Sequence, residues 1–185
     1  PMIISPVGYM TQYSNNGEID LAEAATQNNT FICLSAVSAI RVEEILSKKK
    51  FNVIYQFYSL KPRKWVMNEI KKITKLGVKA ICVTADSPVK SIKYDTIEDR
   101  HDARKHGRLG KARPPLKYLS QLNWEDISWL RQKTKLPIII KGVMNTSDAK
   151  KCFKFGADII WVSNHGGRTL ESGIASLEAL IKIRK

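Results

Sequence analysis

Six short runs of β-branched and apolar residues recur along the chain, each followed by a longer stretch of helical periodicity, and few folds accept such an alternation. The runs lie near Ile3–Val7, Phe31–Ser35, Asn52–Tyr58, Ala80–Asp86, Pro137–Val143 and Asp158–Asn164, and Gly, Pro, Asn or Asp bound them. Helices are expected over Glu18–Asn28, Val42–Lys49, Arg63–Leu76, Trp124–Lys135, Ser147–Phe155 and Ser172–Arg184. In Arg63–Leu76 the set Val66, Met67, Ile70, Ile73 and Thr74 marks one face, with Lys71, Lys72 and Lys75 opposite. Gly77 and Gly156 follow periodic segments where a left-handed cap is wanted, and Thr146 is placed to cap the fifth helix.

Strands this apolar require cover on both faces, which a parallel sheet wrapped by helices provides. No strand is followed by G-x-G-x-x-G or G-x-x-x-x-G-K-[ST], so a dinucleotide-binding fold and a P-loop both lack their signature. Polar residues instead gather at the carboxyl ends of the runs: Ser35, Gln56 and Tyr58, Thr84 and Asp86, Lys141, Ser163 and His165. That rim is where a (β/α)8 barrel collects its chemistry. The expected fold is therefore α/β, a partial (β/α)8 barrel forming one incomplete domain over residues 1–185. Six βα units are present, whereas a complete barrel has eight and takes about 250 residues. Residues 89–120 read as a long basic loop insert.

Composition narrows the class. Hydrophobic residues make up 43% of 185 residues, enough for a sizeable core and too many for a disordered chain. Cys33, Cys82 and Cys152 form no C-x-x-C pair and sit in apolar contexts, so they read as buried reduced thiols and favour a cytoplasmic location. No apolar run approaches the length of a membrane span, and the amino terminus has no secretion signal pattern. The formal charge of +14 arises mostly from Lys spread along the helices, without zinc-finger or basic-zipper spacing, so no nucleic-acid partner is expected. No metal site is expected either.

Period-two geometry places Gln56 with Tyr58, Thr84 with Asp86, and Ser163 with His165 on common faces. Singly, each has an architectural explanation: Asp86 before Ser87-Pro88 suits a turn, Asn164-His165-Gly166-Gly167 suits a strand-ending turn, and Tyr58 suits strand packing. Lys141 says more, because a cation closing the run Ile138-Ile139-Ile140 needs an anion, solvent or a ligand. Together they can bind a 2-hydroxy acid and remove its hydroxyl proton. His165 would be the base and Asp86 would orient its imidazole. Arg168 offers a fork for the carboxylate, and Tyr58 a further hydrogen bond. Side chains do not accept hydrides and a flavin does; Lys141 would stand near the charge that flavin acquires.

The string Val162-Ser163-Asn164-His165-Gly166-Gly167-Arg168 resembles the FMN-dependent L-2-hydroxy-acid dehydrogenase and oxidase family, and the likeness runs over nearly the whole chain. Support comes from Leu136–Val143, Tyr55–Tyr58, Val83–Pro88, and Leu34-Ser35 ahead of the helix start at Val42. The bacterial respiratory L-lactate dehydrogenase branch is the most similar. The resemblance implies that His165 is the active-site base and Asp86 its carboxylate partner. It implies that Tyr58 and Arg168 bind substrate and that Ser35, Gln56, Thr84 and Lys141 contact the ring of FMN. The loop Pro6-Val7-Gly8 would lay its backbone, at Val7 and Gly8, against the same ring. Lys93 stands where the family carries a second substrate arginine, and an ammonium cannot reproduce a bidentate clamp.

The implied reaction is L-lactate to pyruvate, with electrons passing through FMN to a quinone or cytochrome. Peripheral contact with the inner face of the cell membrane and homo-oligomerisation belong to the same expectation. The family's amino-terminal segment and last two barrel strands are expected to be missing from this chain. The alternative is a catalytically inactive fragment of such an enzyme, from a decayed or split gene.

Overall fold

In the computed structural model, which describes residues 2–88, 116–167 and 173–185, six strands pair in parallel and in chain order. They are β1 (Ile3–Ile4), β2 (Phe31–Ser35), β3 (Val53–Phe57), β4 (Ala80–Thr84), β5 (Ile138–Val143) and β6 (Ile159–Val162). The helices are α1 (Glu18–Gln27), α2 (Val42–Lys48), α3 (Arg63–Lys75), α4 (Trp124–Lys133), α5 (Thr146–Lys154) and α6 (Ser176–Arg184). Short 3-10 segments at Met10–Gln12, Leu116–Gln121 and His165–Gly167 complete the described elements. The long insert lies almost wholly outside the described residues.

Side-chain alternation splits the sheet into two unlike faces. Ile32, Leu34, Val53, Tyr55, Phe57, Ile81, Val83, Ile138 and Ile140 join one large core with Ile45 of α2, Val66, Ile70 and Ile73 of α3, and Leu130 of α4. At about 1.5–3 kcal/mol for each fully buried large apolar side chain, this layer dominates the stability of the unit. The other face holds only a small cluster of Cys33, Ile54, Ala80, Cys82 and Ile139, with Trp161 against it. Helices on one side and a small concave interior on the other make the unit a partial (β/α)8 barrel. Within the described sheet β1 pairs only with β2, and β6 only with β5.

Local differences from expectation have identifiable causes. On α3 Thr74 is exposed, and Glu69 takes a buried place on the inner face instead. The Tyr55 hydroxyl donates to Glu69 Oε2 at 3.3 Å and Lys72 Nζ to Oε1 at 2.7 Å, so the carboxylate enters the core with its partners. Burial and the Glu69 carboxylate together hold the Tyr55 phenol well above its ordinary value. On α5 the cap is Asn145, whose side chain accepts from the Asp148 amide, and Thr146 is the first helical residue. Gly77 and Gly156 do take left-handed conformations just past α3 and α5, at φ +79° and +103°. β4 stops at Thr84 and β6 at Val162, short of Asp86 and His165.

Candidate active site

Four polar side chains close the carboxyl ends of adjacent strands. Ser35 of β2, Gln56 of β3, Thr84 of β4 and Lys141 of β5 are all buried. Ser35 is in register with Gln56, and Thr84 with Lys141. Gln56 Nε2 donates to Thr84 Oγ1 at 2.6 Å, which leaves Gln56 Oε1 buried with no donor. Lys141 is two residues beyond Ile139, which lies in the concave cluster, so strand alternation turns the lysine to the same side.

Above this row stand Asp86, two residues past the end of β4, and His165, three past the end of β6, so the pair comes from two non-adjacent strands. His165 Nδ1 lies 2.7 Å from Asp86 Oδ1 and 3.1 Å from Ser87 Oγ. Asp86 Oδ2 is 3.8 Å from Lys141 Nζ and has no hydrogen-bond donor. A carboxylate can only accept, so it favours the neutral tautomer with the proton on Nδ1 and the lone pair on Nε2. The tilted ring of Tyr58 is 6.3 Å from the imidazole, centroid to centroid.

His165 does not reach this place by strand alternation. It opens a 3-10 turn in a left-handed conformation, φ +55°, followed by Gly166 and Gly167 at +66° and +70°. Its own amide donates to Ser163 Oγ at 3.0 Å, and the Gly166 amide to Asn164 Oδ1 at 3.1 Å, so the polar residues of the string fold the turn that aims the ring.

The loop carrying Val7 and Gly8 runs beside the β2 end. A Cβ on Gly8 would fall 2.9 Å from the Val37 Cγ2 methyl, so the bare glycine backbone lies close against Val37, while the Val7 side chain is exposed. Arg168 and Lys93, the two cations expected to hold a substrate carboxylate, lie outside the described residues. Ser87 was legible only as a turn residue; its hydroxyl next to Asp86 was the available signal. Gly142 gave no signal beyond its place in the β5 string.

The profile of the FMN-dependent dehydrogenases covers residues 1–185. The chain belongs to this family. Among FMN-dependent dehydrogenases, L-lactate dehydrogenase of Pseudomonas syringae pv. syringae (strain B728a) is 31% identical over 219 residues, 97% of this chain and 58% of that protein. L-lactate dehydrogenase of Vibrio cholerae serotype O1 (strain M66-2) is 32% identical over 222 residues, with the same two coverages of 97% and 58%. The chain thus spans little more than half the length of these relatives.

Solved structures of the family superpose closely. A mandelate oxidase variant with an FMN adduct gives a TM-score of 0.87 at 26% identity, over 100% of this chain and 54% of that one. A soluble mutant of the membrane-associated (S)-mandelate dehydrogenase from Pseudomonas putida gives 0.86 at 25%, over 100% and 58%. The family includes both lactate and mandelate enzymes, so family membership alone does not choose between a small and an aromatic hydroxy acid.

Proposed function

We propose that this chain forms the flavin-facing and proton-transferring part of an FMN-dependent L-2-hydroxy-acid dehydrogenase whose substrate is L-lactate. The observation that carries the proposal is the 2.7 Å contact between His165 Nδ1 and Asp86 Oδ1. Removing a hydroxyl proton takes a base with a free lone pair, and this contact leaves one on Nε2. As Nε2 takes the proton the ring becomes cationic, and Asp86 supplies the adjacent negative charge that stabilises it. Tyr58, with its ring facing the imidazole, would hold the substrate, and Arg168 and Lys93 would pair with its carboxylate.

The row beneath suits the edge of FMN. Gln56 Oε1 is a buried acceptor without a donor, Ser35 and Thr84 carry hydroxyls, and Lys141 brings a buried ammonium. A ring bearing both an imide N–H and carbonyl oxygens satisfies such a mixed set, and an apolar ligand would not. These four residues, with the backbone at Val7 and Gly8, would hold FMN, which when bound supplies the acceptor for the two electrons leaving C2 of the substrate. Lys141 would offset negative charge gained there.

The remaining partners belong to the same proposal: a quinone or cytochrome as final acceptor, contact of a cationic surface with anionic lipid at the inner membrane face, and assembly with further copies. No helix among the described residues is long and apolar enough to cross a membrane. L-lactate is favoured over mandelate on the identity to the lactate dehydrogenases, 31–32% against 25–26%.

The test is anaerobic titration of the purified chain with FMN, followed by addition of L-lactate, (S)-mandelate or glycolate. Quenching of flavin fluorescence and then bleaching of the visible flavin band by L-lactate is the expected result. Bound FMN bleached by mandelate but not lactate would overturn the substrate. Failure to bind FMN, or bound FMN bleached by none of the three, would overturn the activity of this chain and favour the inactive-fragment alternative.

A further inference from the structure

Asp86 and His165 follow β4 and β6, and β5 runs between those strands. To touch, their side chains have to cross the carboxyl end of β5. The residue under that crossing is Gly142. A Cβ built on it would meet Asp86 Cβ and Cγ at 2.5 Å and Oδ2 at 2.7 Å, distances that no side chain tolerates. Its φ of +103° also lies where only glycine is unstrained.

The pairing of β5 with β6 shows how the space is made. Lys141 is in register with Trp161 and Val143 with Val162, so two steps on β5 match one on β6 and Gly142 is the inserted residue of a bulge. In a regular strand Val143 would share the concave face with Ile139 and Lys141. The bulge reverses the phase after Lys141 and sends Val143 into the helix-facing core with Ile138 and Ile140. The cup therefore keeps the lysine, loses the valine, and gains an empty seat at Gly142 that the Asp86 carboxylate fills.

We infer that Gly142 is a positioning residue: its bulge and missing side chain seat Asp86 over β5, where one carboxylate meets both Lys141 and His165 Nδ1. The inference rests on the functional reading above only for the meaning of the pair; the steric relation is independent of flavin and substrate. Any side chain at 142 pushes Asp86 off its seat, and His165 Nδ1 then loses the acceptor-only carboxylate at 2.7 Å and keeps the Ser87 hydroxyl at 3.1 Å, which can donate as well as accept and so does not fix the tautomer.

The deciding measurement is ¹⁵N NMR of the imidazole of His165 in the full chain, assigned by its loss in His165→Gln, together with urea denaturation. With the ring neutral, the native chain should show a protonated Nδ1 and a bare Nε2. Gly142→Ala should lose that preference while the amide spectrum of β2 and β3 is retained. In an Asp86→Gly background, which removes all three clashing atoms, adding Gly142→Ala should leave the His165 spectrum unchanged and lower the midpoint less than it does beside Asp86. An Nδ1–H signature that survives Gly142→Ala, or an equal loss of stability in both backgrounds, overturns the proposal and leaves the glycine a matter of backbone conformation alone. Should Gly142→Ala fail to fold, recovery in the double variant sustains the proposal, and no recovery overturns it. Because neither readout uses FMN or lactate, a failed flavin titration and a failed seat for Asp86 are separate results.

Discussion

Asp86 Oδ2 lies 3.8 Å from Lys141 Nζ while Oδ1 of the same carboxylate lies 2.7 Å from His165 Nδ1. One anion thus touches both the buried ammonium on β5 and the imidazole that follows β6. Both Asp86 and Lys141 are largely shielded from water, with side chains 12% and 8% exposed, so neither charge is well solvated without the other. Asp86→Asn keeps the shape and removes the charge. Flavin reduction by L-lactate in stopped flow should fall by about 10²–10⁴, the usual contribution of a positioned acid–base pair. A rate within about threefold of the native chain would remove the carboxylate from proton transfer.

His165→Ala should abolish reduction while FMN stays bound. The imidazole is not one of the side chains that close the row at Ser35, Gln56, Thr84 and Lys141, so flavin affinity from fluorescence quenching should change little. Unchanged reduction would take His165 out of the mechanism, and lost binding would give it a cofactor role instead.

Gln56 and Thr84 provide a test with opposite signs. Their mutual hydrogen bond leaves Gln56 Oε1 buried and unpaired, a cost of about 1–3 kcal/mol in the free protein. The double change Gln56→Leu, Thr84→Val removes donor, acceptor and orphan together. Thermal unfolding of the flavin-free chain should therefore be unchanged or shifted upward, while FMN affinity drops by about tenfold or more, the loss of one to two hydrogen bonds. Loss of stability with unaltered FMN affinity would assign the pair to packing.

Cys152 makes stability depend on alkaline pH. Burial against the outer face of β5, and after it the Asp148 carboxylate, push the thiol from 9.0 up to about 11. The folded chain holds the proton more tightly than the unfolded one, so the stabilisation is fully present below pH 9 and is lost as pH rises to about 11. Urea midpoints should fall between those pH values in the native chain and fall less in Cys152→Ala. Alkylation by iodoacetamide at neutral pH should spare Cys152, and also Cys33, whose thiol is raised by burial and by the neighbouring Cys82. Rapid labelling of either would show that the core opens easily.

The amino-acid sequence determined the alternation of strands and helices, the curled parallel sheet they build and the residue types along its rim, because hydrophobic period is set locally by backbone geometry. It put Asp86 and His165 at strand ends by period-two alternation, whereas β4 ends at Thr84 and β6 at Val162: Asp86 comes two residues past its strand, and His165 is aimed by a left-handed turn whose hydrogen bonds come from Ser163 and Asn164. It could not show that Glu69 would be buried, since that depends on Tyr55 arriving opposite from another element. Nor could it show Gly142 as the seat of Asp86. The two partners are 79 residues apart and sit on strands separated by a third, so their meeting depends on a one-residue register shift in the strand between. A shift of that kind is a property of paired strands, and only the tertiary structure decides it.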